Sequence, residues 1–481
     1  MSGIWRKGVV VLAAFAVAWA CAIFWWRSAD TAPGGMAMLG WLVALPLALL
    51  GLLWIVARAR RRSGRPQPQA DGEAAEEAVA DAPVAPPLMV LAEAAWLPWG
   101  DGTLAGSLAG LPRPTLHPAL RDRDGFPVLA AFDPGVDTAP LEQQFSQGSA
   151  RRWAPEQLRA LALLEPVALE LFGDAARLLP RPPKAPERVV AGLRRVERSD
   201  RDNAGRVRIV ALLPREWDAA QRDACEEWLR GLAAGAGLDP RRSRFEVEMA
   251  EGEGAAWPLI AGLHGKVEGD AARDWLLVLA ASSLVGPRAV RALESAGKLA
   301  RYGNPEGLVP GEGAAGLLLA PHGATPAGEI DAGLSLAALR FESVAADGKP
   351  REAARASTAL LQGVMADGGV EPAAVATVVG DADQRPSRAA EAAVAVVTAC
   401  PDLDPVDDCP AIGSASGHLG QVAPLALLAL AGARARAADA PALVLSVSAK
   451  GARAAALVQP AAAAIVAGDV PAAAGTPGLA A

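Results

Sequence analysis

The run DWLLVLAAS, residues 274–282, shows almost no alternation of apolar and polar residues. A strand with one wet face alternates. A strand this uniformly apolar is covered on both faces, as in the middle of a sheet packed between helices. Similar short runs recur at RVRIVALLP (206–214), AAGLLLA (314–320), AVATVVGDAD (374–383) and APALVLSVSA (440–449). Helical patterns fall between them. REWDAAQRDACEEWLRGLAAGAG (215–237) ends at glycine and can place Trp217, Ala220, Ala224 and Trp228 on one face. Further helices are expected at about 386–399 and 418–437, and EQLRALALLEPVALELFG (156–173) reads as a helix interrupted at Pro166. Strands alternating with helices predict an α/β layered fold with a largely internal sheet. A hydrophobic content of 52% is enough to fill its core.

The N-terminus has a different character. Gly8–Trp26 is uncharged and just long enough to span a bilayer, and Met36–Ala57 is a second such run, with Pro46 tolerable inside it. Trp5, Trp25, Trp26 and Trp54 sit near the ends, as interface anchors do. A cleaved signal peptide is the alternative for the first run, but Phe24-Trp25-Trp26 is not a small-residue cleavage site. Arg58, Arg60, Arg61, Arg62 and Arg65 follow the second run, and the positive-inside rule places them in the cytoplasm. The expected organisation is a transmembrane hairpin at 1–62 and a Pro/Ala/Glu linker at 63–89. Residues 90–200 then form the N-terminal part or a cap of the soluble domain, 201–470 its α/β domain, and 471–481 a tail. Gly35, Gly40 and Gly51 make no GxxxG face, which ranks a purely structural, helix-mediated oligomer last.

Charge and motifs exclude several classes. The formal net charge of −7 gives no global reason to expect nucleic-acid binding. The four cysteines, Cys21, Cys225, Cys400 and Cys409, form no CxxC pair, no disulfide framework and no zinc site. Cys225 reads as an ordinary helix-face residue. Cys400 and Cys409 lie in TACPDLDPVDDCP (398–410), where acidic neighbours raise a thiol pKa. His117, His264 and His322 are widely spaced, without HExxH or metal spacing. Glycine patterns lack the Walker lysine, no GxGxxG follows a strand as a dinucleotide site requires, and Ser282-Ser283 lack the GxSxG elbow, so neither cofactor nor metal is expected. Asp381 and Asp383 are weak candidates for acid/base or metal chemistry and read more simply as an acidic turn after a strand. Glu251, Glu253 and Glu312 could meet in space.

Three segments carry a resemblance. GNPEGLVPGEGAAGLLLA (303–320) resembles the glycine-rich turn and strand of β-ketoacyl synthases, members of the thiolase superfamily. SASGHLGQVAPLALLAL (414–430) resembles that family's G-H-x-x-G-A-A-G segment, and GDAARDWLLVLAASSL (269–284) its G-D-A-D strand. Their order and approximate spacing also agree, over roughly residues 200–465. The resemblance implies a thiolase-like layered α/β domain, commonly dimeric, whose motif turns here are Gly311, Glu312, Gly313, Gly417, His418 and Gly420. It also implies a cysteine nucleophile at a strand-to-helix elbow, two histidines and a supporting lysine. The cysteine position falls near Gly252–Gly254, where neither cysteine nor serine occurs. The first histidine's turn corresponds to VVGDADQRPS (378–387), which has none, and the lysine position is Gly413. Of the set only His418 remains. A lone histidine makes no catalytic constellation, so His418 reads first as structural.

The expectation is therefore a membrane-anchored, catalytically degenerate thiolase-like protein. It would act as a binding or adaptor module on the cytoplasmic face of a bacterial inner membrane. The overall plan is also similar to that of type VI secretion lipase-adaptor proteins, which would imply a secreted effector or a spike component as partner. The alternative is a membrane-associated acyl-transfer or condensing enzyme of lipid or polyketide metabolism that uses His418.

Overall fold

The computed structural model describes residues 86–99, 111–146, 153–180, 187–190, 193–196, 205–264, 274–328, 330, 333–345 and 349–461. Contacts divide the chain into two units, Met1–Pro83 and Val84–Ala481, and every described residue belongs to the second. The expected hairpin, its arginines Arg58, Arg60, Arg61 and Arg62, the linker and the tail lie outside the described residues. Among the described residues no helix is long and apolar enough to cross a membrane.

The described part begins with β1 (Leu88–Trp96), a hairpin of β2 (Thr115–Arg121) and β3 (Pro127–Ala130), helices α1 (Ala139–Ser146) and α2 (Pro155–Leu178), and a second hairpin of β4 (Glu187–Val190) and β5 (Leu193–Val196). Then come β6 (Val207–Leu213), α3 (Ala219–Gly235), β7 (Ser243–Met249), α4 (Ala256–His264), β8 (Trp275–Ser283), α5 (Pro287–Ser295), β9 (Glu312–Ala320) and β10 (Leu334–Ser343). The chain continues through α6 (Pro350–Gly368), β11 (Thr377–Gly380), α7 (Pro386–Ala399), a single turn at Gly413–Ser416, α8 (Ala423–Ala438), β12 (Ala442–Ser446) and β13 (Ala452–Pro460).

Nine strands form one sheet in the order β11-β12-β13-β10-β1-β9-β8-β6-β7. Pairing is parallel for β11 with β12 and for β6 with both β7 and β8, and antiparallel elsewhere. The described strands of the two halves pair where Leu88–Val90 of β1 meets Leu334–Leu336 of β10. Strand parity then builds the layers. Leu276, Val278 and Ala280 of β8 face a core shared with α4 and α8, and Leu277, Leu279 and Ala281 face α2 and α3. In the other half, Val444 of β12 and Ala456 of β13 join the shared core, while Leu443, Leu445 and Leu457 face α6 and α7. The result is five layers, with the two halves of the one sheet on either side of a helical layer and further helices outside each half. Every residue of β8 and of β9 is buried, as the uniform run predicts.

α8 is the clearest product of this arrangement. It is buried on all sides from Ala423 to Ala433, which suits a helix held between the two halves of the sheet rather than on a surface. Its small residues let both halves come close: a Cβ at Gly432 would stand 2.8 Å from Leu334 Cδ1. β1 and α2 belong to the same body. β1 lies in the middle of the sheet, and α2 packs over β1, β8 and β9.

Three local expectations need correction. α2 runs unbroken through Pro166. A proline inside a helix costs about 3 kcal/mol. Leu158, Leu161 and Leu164 before it, and Val167, Leu171 and Phe172 after it, enter one core. Burial of each such large side chain stabilises by roughly 1.5–3 kcal/mol, so the helix persists. α3 starts at Ala219, not at 215, because Asp218 caps it: its carboxylate accepts from the Ala220 and Gln221 N–H groups, and Gln221 reaches back to the Asp218 N–H. The buried stripe is accordingly Gln221, Cys225, Trp228, Leu229 and Ala233, with Ala220 exposed and Ala224 only half-buried. The helix expected from 418 begins at Ala423, which leaves His418 on the loop before it.

Candidate functional site

Two glycine-rich segments, distant in sequence, meet at the core of the molecule. His418 N–H donates to the Val309 carbonyl at 2.9 Å, and Pro310 and His418 form an isolated parallel bridge. Gly311 permits this approach, since a Cβ there would lie 2.1 Å from the Ser416 carbonyl oxygen and 2.9 Å from His418 N. Gly417 turns the chain with φ of 63° and Gly420 with φ of 58°, conformations that glycine adopts without strain. Gly313 sits under Leu97 and Leu419.

Glu312, between those glycines, is fully buried. Arg159 of α2 donates to Glu312 Oε2 through Nε at 2.8 Å and to Oε1 through Nη2. Ser283 Oγ donates to Oε2 at 2.8 Å, and Asp133 N–H donates to Oε1 at 3.0 Å. Arg159 Nη2 also holds the Asp133 carbonyl at 2.7 Å, and Trp96 Nε1 donates to the Asp133 carboxylate at 2.9 Å. The carboxylate is saturated, and it ties β9, β8, α2 and the loop after β3 together. Its role here is to position these elements.

His418 is buried, and its Nε2 stands 3.2 Å from Glu253 Oε1. Glu253 lies on the turn from β7 into α4, and both residues line a cleft of about 560 Å³. Burial pushes the Glu253 carboxyl up. The His418 hydrogen bond and charge, with Arg385 and Lys298, outweigh this and hold the carboxyl below its usual value. A carboxyl that binds its proton less tightly when folded adds stability above the ordinary Glu value of about 4.3 and loses it as pH falls through the lowered value. Glu253→Gln removes this contribution. Its Tm should lie below that of wild type at pH 6, and the gap should close towards pH 3 in a thermal-melt series; a gap independent of pH would refute the pairing.

The remaining sequence candidates divide clearly. Asp381 is buried and accepts from Ser446 Oγ, Val447 N, Ser448 N and Ser448 Oγ. Burial pushes its carboxyl up against those four hydrogen bonds. Asp383 is held by Arg385 Nε at 2.8 Å. Both acids thus serve the turn after β11. A Cβ at Gly413 would be 2.4 Å from the Asp381 carbonyl oxygen, so the position corresponding to the family's lysine has no room for a side chain. Glu251 and Glu253 share the cleft, whereas Glu312 is committed to Arg159. The thiols of Cys225 and Cys409 are pushed up by burial to about 12, and that of Cys400 to about 11. None of these cysteines lines the cleft. His117 accepts through Nδ1 from the Ala119 and Leu120 N–H groups. Asp122, Asp124 and Glu294 approach within ligand reach of one another elsewhere, where Glu294 accepts from the Arg123 N–H.

Sequence reasoning missed Arg159 and Glu156. Arg159 meets Glu312 across 153 positions, a separation at which no local pattern reveals a pair. Glu156 is equally silent in sequence: an acid in the first turn of a helix normally reads as dipole complement.

No protein-family model matches this chain, and no curated protein matches it. Solved structures do. The ishigamide ketosynthase/chain length factor superposes with a TM-score of 0.52 at 18% identity, over 78% of this chain and 99% of that one. The PfaC ketosynthase–chain length factor gives 0.50 at 12% identity, over 80% of this chain and 44% of that one. At such identities the likeness is one of fold. The coverage exceeds what residues 200–465 alone can supply, in keeping with β1 and α2 inside the layered body. The described part of this chain has a layered α/β fold similar to that of these ketosynthase–chain length factor structures.

Proposed function

We propose that this chain is a ketosynthase-fold protein that binds rather than condenses. One observation carries the reading. On the turn where the family resemblance calls for a nucleophilic cysteine, the chain has Glu253, and its carboxylate engages His418 Nε2 at 3.2 Å. Condensation needs a thiolate to hold the acyl group as a thioester. The thiols at 225, 400 and 409 stay protonated near neutral pH, with values of about 11 to 12. The condensing alternative through His418 would need a thiolate in the cleft, where none of the described cysteines lies; of the two serines that line it, Ser283 is spent on Glu312 and Ser282 is buried beside Gly420.

The test is intact-mass spectrometry after incubation with a short acyl-CoA thioester. Wild type should stay unmodified, and Glu253→Cys should gain an acyl adduct at that position. An adduct on wild type would overturn the proposal.

We further place this platform at the cytoplasmic face of a bacterial inner membrane, held by Gly8–Trp26 and Met36–Ala57. Resistance of the chain to alkaline extraction from membranes checks that placement. A docked protein is the partner class that suits an anchored platform without a nucleophile. Recruitment of a secretion effector or spike component remains one form of it, and neither solved structure named above favours it. Pull-down with wild type and His418→Ala separates a protein partner, retained by both, from an acyl carrier lost with the histidine.

A further inference from the structure

We propose that the cleft beside His418 takes a small zwitterionic ligand, with an alkylammonium group at its inner end and an anion at its mouth. The inference rests on the reading of this cleft as a binding site and names its ligand class. Glu156 lines the cleft from the first turn of α2 and is only 6% exposed. Its Oε2 is buried and has no hydrogen-bond partner. The same holds for Oε2 of Glu253, whose other oxygen faces His418. Carboxylate oxygens only accept, and buried acceptors call for N–H or O–H donors. An ammonium brings three donors and a charge that either carboxylate favours.

The wall is shaped for the Glu156 carboxylate. A Cβ at Gly286, where α5 begins, would stand 2.1 Å from its Oε2. That glycine has an extended backbone with φ of −168°, so room for the carboxylate, and not backbone conformation, is what its missing side chain provides. Buried Trp217 adds an aromatic wall, suited to a cation or its alkyl chain. The mouth has the opposite balance. Arg215, Arg288 and Lys298 are exposed there against Glu216 and Glu251, three bases to two acids. A dication would meet repulsion at that rim, and an anionic tail would not. A cleft of about 560 Å³ accommodates a chain of several carbons.

Isothermal titration calorimetry on the full chain in detergent, with 6-aminohexanoate, hexylamine and hexanoate as probes, tests this. 6-Aminohexanoate should bind wild type, and hexanoate should not. Glu156→Gln and Glu253→Gln should each weaken it by about tenfold or more. Lys298→Glu should weaken 6-aminohexanoate without weakening hexylamine, because it removes the partner of the anionic end and leaves both carboxylates in place. Gly286→Ala, which displaces the Glu156 carboxylate, should reproduce the Glu156→Gln loss if that variant fails to fold. Absence of binding in the millimolar range, equal binding of hexanoate, or unchanged affinity in folded Gln variants would overturn the proposal. Such a failure leaves the unacylated state of wild type untouched. Acylation of wild type would instead remove the binding-only reading without altering the ammonium preference.

Discussion

Arg159→Ala should destabilise the protein by about 3–5 kcal/mol, the usual cost of breaking a buried ion pair from one side. Glu312 is fully buried, and among the described residues Arg159 is its cationic partner. Removal of the guanidinium leaves the carboxylate with Ser283 Oγ and Asp133 N–H alone, and it frees the Asp133 carbonyl as well. The loop after β3 then loses its hold on β9. Chemical denaturation monitored by tryptophan fluorescence should show the loss as a lower midpoint, and Trp96, bonded to Asp133, lies beside the break. Arg159→Ala combined with Glu312→Gln should recover part of the loss, because no unpaired charge stays buried. A single variant within about 1 kcal/mol of wild type would mean that Glu312 does not need the pair.

Gly311→Ala should have a comparable effect for a different reason. The added methyl would lie 2.1 Å from a backbone oxygen, that of Ser416, and backbone cannot turn aside as a flexible side chain can. The strands of chain at Val309–Gly311 and Ser416–His418 must separate, which breaks the His418 N–H to Val309 bond. Overpacking of a rigid site costs about 1–3 kcal/mol and more when the backbone must move. His418 moves with its segment, so the Glu253 contact should weaken too. The checks are a thermal melt and loss of the pH-dependent gap described for Glu253→Gln. Gly420→Ala makes a useful contrast: its Cβ meets only Ser282 Oγ at 3.6 Å, and its penalty comes from the positive φ.

Much of the layered body is legible in the chain because burial leaves a mark on sequence. The uniform runs of β8 and β9 announce strands covered on both faces, and the run after His418 announces a helix apolar all round. Alanine abundance hides the rest. α3 shows how: several small residues fit either side of a helix, and the capping by Asp218, not periodicity, sets which face turns inward. Pro166 misleads for the opposite reason, as a strong local signal is overruled by the core that α2 fills on both sides of it.

What the sequence determined by itself is the inventory: buried strands, an absent thiol near Gly252–Gly254, and one histidine among glycines. These follow from residue type and local order, which need no partner to be read. The tertiary structure alone decided who meets whom. It brought Glu253 to His418, Arg159 to Glu312, and Glu156 into the same cleft as Glu253. Each of these encounters joins groups far apart in the chain, and the electrostatic cost of an unpaired buried charge operates across space, where sequence proximity has no bearing.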